Sequence, residues 1–201
     1  MKVSDQILHA IEDAESGRFD SAMLHACIAV DATSKRMFPA VSNVRKRYVE
    51  CLRAYYWILE PIIGSGINLV ETKFSNVKLK ATDTPDLAEI VYEVFRCSHA
   101  HGDDVPSAFS ITPVKNGFSS WELTGGQLHV PGSIVWALIG VTLFSKVNRE
   151  EKSTGDHYLS LGGNRFVVRD WWGCEEHVRH IAERYNQIRV KLEGLEGSWA
   201  E

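Results

Sequence analysis

Cysteine is scarce in this 201-residue chain. Cys27, Cys51, Cys97 and Cys174 lie far apart and form no CxxC pair. That scatter gives no zinc-ribbon spacing and no disulfide framework, and it predicts reduced thiols in a cytoplasmic protein. Long hydrophobic runs are also missing. The longest apolar stretch, residues 134–144, is interrupted by Gly140 and Thr142 and falls well short of the ~20 residues that cross a bilayer. The opening segment MKVSDQILHAIEDAES is amphipathic and acidic, unlike a secretory leader, so no membrane partner is expected. Excess positive charge is absent too. Against 22 Lys plus Arg stand 26 Asp plus Glu, a net charge of −4, which excludes a protein that coats nucleic acid by bulk attraction. There is no internal repeat and no low-complexity tract. The GGN at 162–164 lacks the strand-to-helix context of a phosphate loop, so nothing supports nucleotide binding.

What the chain does contain is core material. Apolar types make up 44% and charged types 24%, enough for a single domain over 1–201 without metal or disulfide staples. Val3, Ile7, Ala10, Ile11 and Ala14 recur at helical spacing, with Ser4 and Asp5 as expected caps. A second helix starts at Asp20 or Ser21 and ends near Pro39. A third carries one stripe from Val41 to Leu59 and stops or kinks at Pro61 and the glycines of 64–66. After an irregular excursion, Thr84 and Pro85 are expected to open a helix through Phe95 that runs into RCSHAHG. Short strands are expected at 109–111, in SSWEL and in QLHV. A helix apolar on all sides follows Pro131. HYLSL-GGN-RFVVRDWW reads as a hairpin, and a last helix runs from about Cys174 to Leu192. The fold class is mainly α, with small β additions.

The densest chemistry is RCSHAHGDD, from Arg96 to Asp104, at the end of a helix. Packing holds the backbone there while the side chains reach solvent, which suits a site. HAHGDD is one residue from the HxHxDH string of metallo-β-lactamase-like hydrolases, and a metallohydrolase is one reading. That string follows a strand in its own family and a helix here. His129, His157, His177 and His180 supply no second half-site, and Cys174, His177 and His180 drift around their helix. A structural reading also stands, in which Arg96 and a histidine cap carbonyls or pair with Asp103 and Asp104.

Arg96-Cys97-Ser98-His99-Ala100-His101, with Gly102 after it, resembles the Arg-x4-6-His motif carried by the ribonuclease members of the helical-bundle HEPN superfamily. AMLHACIAVDATSKRMF, residues 22–38, is similar to the helix that opens many of these bundles, and IVYEVFRCSHAHG to the motif-bearing helix. Cys97 stands where many members carry Asn, Asp or His. The resemblance covers about residues 1–148 and implies a HEPN-like bundle, extended over about 149–201 by the hairpin and C-terminal helix. It also implies a metal-independent endoribonuclease without cofactor, in a toxin or phage-defence setting with an antitoxin partner. The alternative within the same fold is a non-catalytic binding or interaction module.

The residue types suit such chemistry. Arginine carries a fixed, forked charge for the phosphorane, and histidine exchanges protons near neutrality. On a continuous helix, residues five apart lie about 140° apart. Arg96 and His101 therefore need either a helix that ends between them or motifs paired across a twofold axis, and the family implies the latter, a homodimer with a composite site. His101 is the expected catalytic histidine and His99 its reserve. Asp31, within an apolar helical stretch, is expected either to hold Arg96 or His101 or to face solvent beside Lys35. Six cations, Lys35, Arg36, Arg45, Lys46, Arg47 and Arg53, face only Glu50 between 35 and 53. They either steer RNA or form a solvated face. Tyr48, Tyr55, Tyr56 and Trp57 read as core.

Overall fold

Apolar residues at three- and four-residue spacing dominate the first third of the chain, and four helices form there: α1 (Val3–Glu15), α2 (Phe19–Met37), α3 (Val44–Ala54) and α4 (Tyr56–Ile63). The structure is a computed structural model that describes residues 2–64, 67–75, 77–98, 105–112, 121–124 and 127–185. Gly17, at φ 76°, reverses the chain between α1 and α2, a left-handed conformation that glycine adopts without steric penalty. The two helices then pack Ile7, Ala10, Ile11 and Ala14 against Ala22, Met23, Ala26 and Val30.

Two sequence expectations are corrected here. Ser4 and Asp5 do not cap α1, because both lie inside its first turn and Lys2 precedes it without a side-chain cap. Instead the Ser4 amide donates to Glu151 Oε2 at 3.0 Å, so a distant carboxylate satisfies a donor that helix geometry leaves unpaired. The long third stripe is two helices rather than one. The chain breaks at Tyr55, whose φ of −112° and ψ of 18° leave the helical region, and Pro61 sits inside α4 instead of ending it. The Tyr55 hydroxyl lies 2.7 Å from both Ser145 Oγ and Glu175 Oε2, and these partners hold the break in place.

Helix α5 spans Leu87–Ile90 and continues through a π-helical turn, Val91–Arg96. Its cap is Asp86 rather than Thr84. The Asp86 carboxylate accepts the Glu89 amide at 3.1 Å, and Glu89 reaches back to the Asp86 amide, forming a capping box.

Strands β1 (Phe109–Thr112), β2 (Glu122–Thr124) and β3 (Gln127–Pro131) form a sheet in the order β1-β3-β2. β1 runs parallel and β2 antiparallel to β3. Helix α6 (Ser133–Phe144) is buried nearly all round and packs on α1, α2 and α4. At Gly140 an added Cβ would come within 3.0 Å of Ile58 on α4. β4 (Tyr158–Leu161) and β5 (Asn164–Val167) form the hairpin. Its turn is Gly162-Gly163 alone, with both φ values positive as a two-residue turn of this hand requires, and Asn164 already pairs with Leu161.

Helix α7 (Glu175–Tyr185) packs on α4, and the remainder of the helix expected to reach Leu192 lies outside the described residues. Tyr48, Tyr55 and Tyr56 are buried. Trp57 is partly covered by Arg179, whose guanidinium lies 4.4 Å from the ring centroid. The described residues are mainly helical with two small sheets, and no helix among them is long and apolar enough to cross a membrane.

Candidate functional site

Three helices converge on one cleft. On α2, Leu24, Cys27, Ile28, Asp31, Ala32 and Lys35 recur at three- and four-residue steps and so share a face. The π turn that continues α5 contributes Arg96 and the first turn of α3 contributes Arg47, and the volume of the cleft is about 320 Å³. That is the small end of the range for ligand pockets, about 300–1,000 Å³.

Asp31 is the hub of the cleft. Arg96 Nη2 donates to its Oδ2 at 2.8 Å, and Arg47 Nη2 lies 3.3 Å from its Oδ1. It therefore binds arginines from two other helices. The π turn just before Arg96 closes with the Cys97 amide donating to the Tyr92 carbonyl. Tyr92 lies on the same helix, and the Arg96 guanidinium is 5.6 Å from its ring centroid. A guanidinium fixed at once by a carboxylate and an aromatic face has little rotamer freedom left to lose on binding a ligand.

The electrostatics follow from partial burial. Desolvation opposes the charge on Arg96, but the Asp31 hydrogen bond and carboxylate charge outweigh it and hold the guanidinium above its ordinary value. In the cleft wall, burial pushes the Cys27 thiol up to about 12, and it raises the neighbouring Tyr48 phenol well above its ordinary value. Both therefore stay neutral. Three cations (Lys35, Arg47 and Arg96) share the cleft with one anion, leaving a surplus of two positive charges.

The basic stretch divides into two groups. Arg36 turns away from the cleft, donating to Asn148 Oδ1 and Glu151 Oε1, each at 2.7 Å. Arg45 binds Glu89 at 3.2 Å, and Arg53 binds Asp86 and Glu50. These three staple helices together. Lys46 is exposed, while Lys35 and Arg47 line the cleft. His99, His101, Asp103 and Asp104 lie outside the described residues.

Among the described residues, no group of three or more His, Cys, Asp or Glu side chains is placed to hold a metal ion. The His129 ring meets Ser110 Oγ at 2.6 Å across β1 and β3. Sequence reasoning missed the walls of the cleft (Leu24, Cys27 and Ile28) and the Tyr92 ring beside Arg96. The available signal was spacing. Cys27 and Lys35 flank Asp31 four residues to either side, and Tyr92 precedes Arg96 by four.

A protein-family model named Rv1289 matches residues 2–196. The chain is similar to the uncharacterized protein Rv1289 of Mycobacterium tuberculosis, with 27% identity over 205 residues that cover 99% of this chain and 97% of the relative. It is similar to the same extent to the uncharacterized protein Mb1320 of Mycobacterium bovis. No solved structure matches.

Proposed function

The chain belongs to the Rv1289 family, and from the cleft we propose that it is a metal-independent endoribonuclease built on a HEPN-like bundle. The observation that carries this reading is Arg96. It closes a π-helical turn, is gripped by Asp31 at 2.8 Å, and stands in a cleft with two surplus positive charges. Such a cleft attracts a phosphodiester although the whole chain is acidic.

In the reaction, the 2′-oxygen of a ribose attacks the adjacent phosphorus and loses its proton. The bond from phosphorus to the 5′-oxygen breaks, and that oxygen takes up a proton. The products are a 2′,3′-cyclic phosphate and a 5′-hydroxyl, with no water consumed. Arg96 stabilises the charge that builds on the phosphorane, and His101, five residues on, carries the proton as base or acid. Two copies of the chain bring their motifs together in a composite site. An antitoxin partner and a toxin or defence role in the cytoplasm belong to the same reading.

The test is cleavage of a mixed RNA substrate in excess EDTA. The wild-type protein is expected to cut, and Arg96→Ala or His101→Ala to lower the rate at least about 100-fold. Loss of activity with the chelator moves the case to a metallohydrolase. Binding without cleavage by the folded protein moves it to an RNA-binding module.

A further inference from the structure

Arg47 is the under-partnered cation of the cleft. Its side chain is only 13% exposed, yet its bonds are long: Nη2 lies 3.3 Å from Asp31 Oδ1, and Nη1 lies 3.4 Å from the Ser42 carbonyl oxygen. Its Nε is buried without a hydrogen-bond partner among the described residues. Ordinary N–H···O bonds fall near 2.9–3.0 Å, and charge-assisted ones are shorter. Two of the staple arginines answer to that description, Arg36 at 2.7 Å and Arg53 at 2.8 Å from their carboxylates, while Arg45 lies 3.2 Å from Glu89. Arg45 also has an unpaired Nε, but it binds Glu89 and does not line the cleft. A largely desolvated guanidinium with weak partners is costly in isolation and is suited to an anion that offers more oxygens in better geometry.

We infer that Arg47 is a phosphate ligand of this cleft, gripping a phosphate of a single RNA strand beside the one that Arg96 serves, with Asp31 as the internal carboxylate that holds both guanidiniums until the strand arrives. The inference rests on the ribonuclease reading for its substrate class. Asp31 spans Arg47 and Arg96 with its two oxygens, as a phosphate with two free oxygens does. Lys35, one turn along α2 from Asp31, adds a third cation on the same wall. Arg47 is thus a binding residue supplied by α3, outside the Arg-to-His motif.

The experiment measures affinity for a fully 2′-O-methylated hexaribonucleotide, which cannot cleave because its attacking hydroxyl is blocked. Titrations at several salt concentrations compare the wild-type chain with Arg47→Ala, Arg47→Lys and Lys46→Ala, and circular dichroism checks that each variant is folded. Arg47→Ala is expected to weaken binding about tenfold and to flatten the salt dependence by about 0.7–1 in log–log slope, one phosphate contact's worth. Arg47→Lys is expected to keep the salt slope with a smaller loss of affinity, and Lys46→Ala to lose less than Arg47→Ala.

The inference falls if Arg47→Ala binds like wild type, if Lys46→Ala costs as much, or if the wild-type chain does not bind the probe. Cleavage of unmodified RNA is scored separately. If binding depends on Arg47 but nothing is cut, the nuclease reading fails and the phosphate ligand stands. If RNA is cut equally well by wild type and Arg47→Ala, the ligand alone fails.

Discussion

Asp31 and Asp86 show how one residue type serves two ends in this chain. Both carboxylates collect cations from other elements, but Asp31 does so at the edge of a cleft and Asp86 at a helix start only 3% exposed. Burial opposes the Asp86 charge. The Glu89 amide, Arg53 and Lys73 nevertheless hold its carboxyl below the usual carboxylate range. A lowered folded value means that this stability is present above the unfolded carboxyl's pKa and is lost as pH falls through the folded one. Asp86→Asn keeps a capping oxygen but loses the charge, so it is expected to cost about 1.5–3 kcal/mol at pH 7. In urea denaturation the gap from wild type should close as the pH drops below the ordinary carboxylate value. Part of this scale is legible in sequence: an acid in the apolar stretch around residue 31 needs a partner, and Arg96 is that partner. The role of Arg47 was not separable from its five basic neighbours, because only the packing of α3 on α2 decides which cation faces inward.

Helices that rest on apolar spacing alone were readable, and so was the hairpin, whose alternation and glycine pair are both local. The joints were not. The break at Tyr55 depends on Ser145 and Glu175, distant residues that no local pattern around position 55 reports. The parallel pairing of β1 with β3 needs a crossover that strand composition does not specify. The π turn leaves no mark in composition either. One tight joint is Gly173, between the hairpin and α7, where the crowding atoms are backbone. It stands at φ 71°, its amide donates to the Leu143 carbonyl, and an added Cβ would lie 2.7 Å from the Arg149 Cα. Gly173→Ala combines left-handed strain with a backbone clash and is expected to cost about 3 kcal/mol or more. A fall in the urea midpoint at unchanged slope would register it.

Across the whole molecule, the low net charge conceals a division of labour among cations. Arg36, Arg45 and Arg53 hold elements together, while Lys35, Arg47 and Arg96 face a cleft. Composition reports only their number. The cores of the bundle and of the hairpin are also continuous, since Phe166 on β5 meets Phe144 on α6 at a centroid separation of 5.3 Å. The Glu151 carboxylate takes the Ser4 amide and Arg36 together, and Glu175 takes the Tyr55 hydroxyl. A cut after residue 148 would therefore not release a smaller working bundle. It would remove the carboxylate that pairs the Ser4 amide and Arg36, leave Arg36 only Asn148 and the Tyr55 hydroxyl only Ser145, and uncover Phe144. A chain ending at 148 is expected to bind a hydrophobic dye and to melt without a cooperative transition, whereas the intact chain melts in one step. The last quarter of the sequence, which looks like an appendage when read in order, is the clasp that keeps the first quarter closed.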